Sequence, residues 1–157
     1  MLILRNIVTA FLMWKDEILL MKRGKYIKIR PGDWYGVGGH VEPEEINDPY
    51  SAIYREIYEE TGIKEENIED LKLKYIVYNK GEYEIVINHF FFGRVETQDC
   101  VENDEGSLHW IKRNEVLKKS FHPAINRVLK HYLTEAKEGI LLGAVEGEEG
   151  YIWWHPL

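Results

Sequence analysis

Residues 38–63, GGHVEPEEINDPYSAIYREIYEETGI, limit what this chain can become more than any other stretch. They read as a strand end, a glycine turn, a polar loop and one helix crowded with carboxylates. Asp48 suits the N-cap and Pro49 the first helical position. Gly62 supplies the stop, so the spacing predicts a helix over 49–61. At 3.6 residues per turn, Glu56, Glu59 and Glu60 share an arc of roughly 100°. Tyr50, Ile53, Tyr54, Ile57 and Tyr58 fill the adjoining arc, with small Ala52 among the acids. Exposed like charges at this spacing repel by about 0.2–0.5 kcal/mol per pair, and a helix built for stability alone would interleave lysines. Carboxylates kept together in this way suit a hard divalent cation such as Mg²⁺, which takes oxygen ligands. For these acids considered alone, a solvated acidic face is the competing explanation.

The neighbouring residues decide between the two. The stretch resembles the signature of the Nudix hydrolase family, G-x5-E-x7-R-E-U-x-E-E-x-G-U, where U is bulky and aliphatic. Gly39 matches the opening glycine and Glu45 the first acid. Arg55, Glu56, Ile57, Glu59, Glu60, Gly62 and Ile63 match the rest in order. One departure is plain: nine residues separate Glu45 from Arg55, where the pattern has seven. The surplus lies in EINDP, before the cap, so it lengthens the loop and leaves the helix register intact.

The resemblance implies an α+β chain, folded as a Nudix-type α/β/α sandwich around a mixed β-sheet, with residues 1–157 as one domain. It also implies a metal site in which Glu56, Glu59, Glu60 and the Gly39 carbonyl hold Mg²⁺, for which Mn²⁺ can substitute. Arg55 would fix the rotamers of neighbouring carboxylates, and Glu45 would brace the loop. Gly38 and Gly39 permit a close approach that a side chain forbids. Family members often carry a further glutamate in the loop before a strand containing tryptophan. ENDEGSLHW matches that region and points to Glu105, with Glu102 and Asp104 as rivals. Glu105 would complete a second metal site or take a proton from water, and the resemblance leaves the base open among the glutamates, Glu59 included. Among the histidines, His40 adjoins the motif without being a predicted ligand, and His89, His109, His122 and His131 lack ligand spacing.

Order along the chain supports one α+β unit. Leu2–Trp14 is β-rich, Lys15–Glu17 makes a turn, and Ile18–Lys22 returns as a buried strand. The loop from Arg23 to Asp33 is basic, with Arg23, Lys25, Lys28 and Arg30. Cations there can meet substrate phosphates, and Arg23 is the preferred candidate. Trp34–Gly39 is too glycine-rich for a good interior strand. Beyond the acidic helix, Lys64–Asp70 reads as a polar connection and Leu71–Tyr78 as a strand. Asn79–Gly81 reads as a turn and Tyr83–Arg94 as a long strand. A short strand at Leu108–Ile111 and a helical turn at Arg113–Lys118 come next. A second helix, Pro123–Ala136, carries Ala124, Val128, Leu129, Tyr132 and Leu133 inward. A final hairpin joins Ile140–Val145 to Tyr151–Trp154. Trp153 and Trp154 face opposite sides of it, leaving one for an edge or dimer contact.

A net charge of −7 argues against nucleic acid as a partner, because no basic surface offsets it. A phosphate substrate remains compatible if a metal bridges the two acidic parties. Cys100 is the one cysteine, which excludes an intrachain disulfide. No run is long and apolar enough for a bilayer and none has a signal-peptide layout, so a cytoplasmic monomer or homodimer is expected.

The reaction implied is hydrolysis of a phosphoanhydride in a nucleoside triphosphate, releasing monophosphate and pyrophosphate. KRG, WYGVGGH, DEGSLHW and the terminal hairpin resemble the MutT-like branch acting on oxidised purine nucleotides such as 8-oxo-dGTP. Two departures set the chain apart. Tyr35 stands where that branch can carry a base-reading asparagine, and Phe121-His122-Pro123-Ala124 where it can carry an acidic pair. Tyr35 and Phe121 are candidates to stack on a base, or else core aromatics. The enzymatic alternative is a diphosphate-linked substrate such as ADP-ribose, a nucleotide sugar or a dinucleoside polyphosphate. The alternative of another class is a non-hydrolytic, nucleotide-binding regulatory module.

Overall fold

The computed structural model describes residues 1–24, 30–135 and 138–157. Lys25 and Lys28 of the basic loop, and Ala136 at the end of the second predicted helix, lie outside them. Among the described residues nine strands form one mixed sheet. They are β1 (Ile3–Trp14), β2 (Glu17–Arg23), β3 (Trp34–Tyr35), β4 (Val37–His40), β5 (Ile68–Lys80), β6 (Glu84–Val95), β7 (Gly106–Lys112), β8 (Leu141–Glu146) and β9 (Tyr151–Pro156). The helices are α1 (Pro49–Thr61), α2 (Arg113–Val116) and α3 (Pro123–Glu135). No helix among the described residues is long and apolar enough to cross a membrane.

The strand order is β3-β2-β1-β6-β5-β8-β9, with β4 added to β1 and β7 to β2. β1 runs parallel to β6 and β5 parallel to β8, and the remaining pairs are antiparallel. Alternation along β1 sends Val8, Ala10 and Leu12 to the core beneath α1, and Phe11 to the core beneath α3. Both cores are aromatic and aliphatic, giving the three-layer arrangement that the sequence predicted. In α3, Val128 and Leu129 are fully buried, as expected, and Ile125 and His131 join them. His131 Nδ1 lies 2.9 Å from the buried Tyr75 hydroxyl, which satisfies both polar groups inside the core.

Three sequence expectations need correction. Trp34–Gly39 does form strands, split at Gly36, because backbone rather than side chain packs there. β4 lies so close to β1 that a Cβ at Gly38 would stand 2.0 Å from the Val8 carbonyl oxygen. The segment 64–70 is not merely a connection: β5 already begins at Ile68, preceded by a 3₁₀ turn at Glu65–Asn67. Register shifts within β5 explain why it reads badly. Leu71 and Leu73 face α1, whereas Tyr75 and Val77 face α3, although all four are odd-numbered. An irregularity between Leu73 and Tyr75 turns the strand over and breaks the period of two. The third correction, at Phe121, concerns the site.

The Gly38 contact gives a direct test. Gly38→Ala must push β4 off β1, and overpacking of that severity is expected to cost about 3 kcal/mol. Urea denaturation should show a lowered midpoint, and an unchanged one would mean that β4 has slack to move.

Candidate active site

The helix α1 grades its acids by burial. Asp48 caps it by accepting from the Ser51 amide, and Gly62 ends it at φ 73°, fixing the register of everything between. Ile53 and Ile57 are fully buried against the sheet. Glu60 follows them on the same stripe, one turn past Ile57, so helix packing carries its carboxylate under the sheet edge. Glu60 is 4% exposed. Glu56 lies at the flank, its side chain 12% exposed, and Glu59 faces outward at 55%.

Glycines give these carboxylates room. The Gly38 amide donates to Glu60 Oε2 at 2.8 Å. A Cβ on Gly39 would stand 2.5 Å from Glu56 Oε1, so that carboxylate lies directly against the Gly39 backbone. Burial, followed by a hydrogen bond with Glu105, pushes Glu60 up to about 9, and the Gly38 amide opposes the shift. Glu60 is therefore protonated at neutral pH, with its proton held toward Glu105. Burial also raises Glu56, against the lowering influence of Arg55.

Arg55 binds the rest together. Its Nε and Nη2 donate to the two Glu45 oxygens at 2.7 and 2.8 Å, a bidentate pair. Nη1 donates to Glu56 and Glu59 at 2.9 and 3.1 Å, and Nη2 also to the His40 carbonyl at 3.0 Å. Glu45, foremost, holds the guanidinium protonated well above its ordinary range. Arg55 in turn holds the Glu45 carboxyl below the usual range. The two surplus loop residues do not separate Glu45 from Arg55. They lie in the turn that follows the 3₁₀ turn at Pro43–Glu45, closed by the Asp48 amide donating to the Glu45 carbonyl at 2.8 Å.

A cavity of about 890 Å³ opens over these groups, lined by Glu56, Glu59, Glu60, Glu105, Arg55 and Arg23 among others. Arg23 lies over the Tyr35 ring, its guanidinium carbon 4.3 Å from the centroid, and both line the cavity. Phe121 does not. It is buried in the α3-side core because the chain before α3 turns inward there, so it is a core residue and not a stacking platform. Glu102, a rival of Glu105, instead accepts from the Leu108 amide. Asp104 is not among the cavity's lining residues.

Several wall residues carried no signal in the sequence. Arg5 reaches His40 Nε2 at 2.8 Å and donates to Glu84 at 3.0 Å, and both Arg5 and His40 line the cavity. Thr9 donates to Asn88 Oδ1 at 3.1 Å on the cavity floor. The parallel pairing of β1 with β6 brings these together across 79 residues of chain. The one available hint was their period-two spacing with Ile7 along β1.

Among the described residues, no three His, Cys, Asp or Glu side chains already stand as a coordination cluster. Arg55 draws Glu56 and Glu59 to itself, while a proton joins Glu60 to Glu105. The chemistry of the donors nonetheless fits a hard divalent cation: the carboxylates of Glu56, Glu59, Glu60 and Glu105 and a glycine backbone gather on one cavity, whose lining holds no cysteine. A buried carboxyl that must keep its proton beside another acid is a natural place for a cation to replace that proton.

Comparison with known proteins agrees with this geometry. The family description "NUDIX domain" matches residues 4–154, and the chain belongs to that family. It superposes on the MutT protein of Bacillus halodurans with a TM-score of 0.75 and 22% identity, covering 94% of each chain. The MutT protein of Methanosarcina mazei Go1 gives 0.72 and 23%, covering 87% of this chain and 98% of the other. At these identities the likeness shows the fold alone. Rat diphosphoinositol polyphosphate phosphohydrolase 2 is 46% identical over 50 residues, which are 32% of this chain and 25% of the relative. The match thus spans about a quarter of the length of that relative.

Proposed function

We propose that this Nudix domain hydrolyses a phosphoanhydride bond in a nucleoside triphosphate, releasing a monophosphate and pyrophosphate. The observation that carries the reading is a single cavity with four glutamates at one end and Arg5, Arg23 and Tyr35 on its walls. About 890 Å³ is ample for a nucleotide, within the usual range for small-molecule sites.

Glu56, Glu59, Glu60 and the Gly39 carbonyl would hold Mg²⁺, with Glu105 completing the set. When bound, the cation neutralises phosphate charge, polarises the phosphorus and lowers the pKa of water. The chain does the rest. Arg55 fixes the rotamers of Glu56 and Glu59, a supporting role that keeps ligands in place. Glu59 and Glu105 are the acids most open to solvent, and either can take the proton of an attacking water. Arg23 can pair with a phosphate while Tyr35 carries an aromatic base.

A second reading rests on a specific observation. Arg5 and Arg23 both border the cavity, two guanidinium groups that can meet phosphates beyond the one nearest the glutamates. That suits a more heavily phosphorylated or diphosphate-linked substrate, in keeping with the partial similarity to the diphosphoinositol polyphosphate phosphohydrolase. Substrate loss and product formation (monophosphates, pyrophosphate and phosphate) should be followed by chromatography with Mg²⁺ over canonical and oxidised nucleoside triphosphates, ADP-ribose, nucleotide sugars, dinucleoside polyphosphates and diphosphoinositol polyphosphates. The expected result is at least a tenfold kcat/KM preference for a nucleoside triphosphate, about 1.4 kcal/mol. Preference for a linked diphosphate would move the proposal to the second reading. Silence across the panel would favour a regulatory binding module.

A further inference from the structure

The α1 side of the sheet is only partly covered. The helix lies over β4 and β1, and its Tyr50 reaches no further than Phe91 and the Leu73 amide. Beyond that point no helix among the described residues covers the same face across five strands. Strand register places Asn6, Ile87, Tyr78, Ala144 and Trp153 in one row running from β1 through β6, β5 and β8 to β9. Ile76 and Leu142 pair in the row toward α1. Leu4 and Ile85 lie in the row away from it. Trp153 is 66% exposed, Leu4 63% and Tyr78 40%. The opposite face of these strands is filled by Val77, Val145, Ile152 and Trp154 beneath α3. Large apolar side chains joined across five strands make a patch, which a soluble surface rarely keeps without a partner.

Charge identifies the partner. In the outer row Lys80 follows Ile85 on β5, and the β5–β8 register, continued by two residues, brings Glu146 beside it. These are the full charges within the three rows, and they cancel. The face is thus neutral on a chain of net charge −7, and a second copy meets least repulsion there.

We propose that this face is the interface of a symmetric homodimer whose two-fold axis runs along the strands between β5 and β8. Rotation about that axis exchanges β5 with β8 and β6 with β9, a self-complementary contact. Tyr78 then lies over Ala144 of the second copy and Ile87 over Trp153, unequal side chains that can interdigitate, while Ile76 meets Leu142. Lys80 lies over Glu146, and Glu146 over Lys80. Two such sheets pack face to face about 10 Å apart. The four strands that meet, over three rows, give a footprint of roughly 19 by 20 Å, about half the roughly 800 Å² per partner of a standard interface, which fits a concentration-dependent dimer. The active-site cavity stays clear, since its β1 and β6 residues, Thr9 and Asn88, lie on the other face of the sheet.

The charge pair makes the register testable with the full chain. Sedimentation velocity over roughly 1–200 µM should show a concentration-dependent dimer. Lys80→Glu and Glu146→Lys each place like charges opposite one another and should weaken dimerisation at least about tenfold. The double variant should return to within about threefold of the original, because the pair is restored with its signs exchanged. Both side chains are exposed and stand away from the cavity, so activity should hold in all three. A chain monomeric at the top concentration overturns the proposal. So does a dimer indifferent to both single changes, which would place the contact elsewhere, such as the open edge of β9.

Discussion

Glu60→Gln is expected to abolish most turnover, by at least about 100-fold, and at the same time to raise the melting temperature in chelator. The two effects share one cause. Alteration of groups that merely support metal ligands already costs about 10–100-fold, and Glu60 is a direct candidate ligand. Glutamine keeps its shape, its acceptor for the Gly38 amide and a donor toward Glu105, but carries no charge to give a cation. Without metal the balance reverses. The ordinary value for this carboxyl is 4.5, and burial beside Glu105 lifts it to about 9. Between those values the folded chain holds a proton that the unfolded chain has lost, so this group's contribution to stability is complete below 4.5 and disappears as pH rises through 9. Glutamine mimics the protonated form at every pH and escapes that loss. A gain of about 1 kcal/mol near pH 8, or roughly 2–4 °C, is expected for a chain of this length. Glu59→Gln is the control: exposed and outward, it should lose turnover without the thermal gain. Undiminished activity in both variants would remove α1 from the chemistry.

That opposition between stability and function shows where sequence reasoning works. The limits of α1 were legible to the residue, because Asp48, Pro49 and Gly62 are local signals whose physics does not depend on the rest of the fold. The face shared by Glu56, Glu59 and Glu60 was legible for the same reason. Their unequal burial was not read from that arc; it comes from the packing of Ile53 and Ile57, with which Glu60 lies in line. What escaped is non-local. Nothing in the neighbourhood of Arg5 or Thr9 announces Glu84 or Asn88, which reach them only through the parallel pairing of β1 and β6. At Gly38 the close approach was read from the glycine itself, and a neighbouring carbonyl does occupy the space of the missing side chain; that this approach is the pairing of β4 with β1 was not. β5 hid its first turns because an irregularity reverses its faces midway. Phe121 was open between a stacking aromatic and a core aromatic from its place in the chain, and packing put it in the core.

Removal of divalent cations should silence the enzyme altogether, with full recovery on adding Mg²⁺ or Mn²⁺. The argument is electrostatic. Like charges about 4 Å apart repel by about 4 kcal/mol at an effective dielectric of 20, and the substrate brings several negative charges toward four glutamates. Arg55 cannot serve instead, because Glu45 already takes two of its donors. A cation entering the site must displace the proton between Glu60 and Glu105. Cation binding should therefore release about one proton and tighten up to about tenfold per pH unit from pH 6 toward 9. Titration calorimetry in two buffers of different ionisation enthalpy measures that proton directly, without any substrate. In Glu60→Gln the proton release should vanish and the affinity should fall. Binding that is independent of pH in the parent chain would place the cation away from Glu60, on Glu56 and Glu59 alone. Turnover that persists in excess chelator would exclude the cation from the reaction.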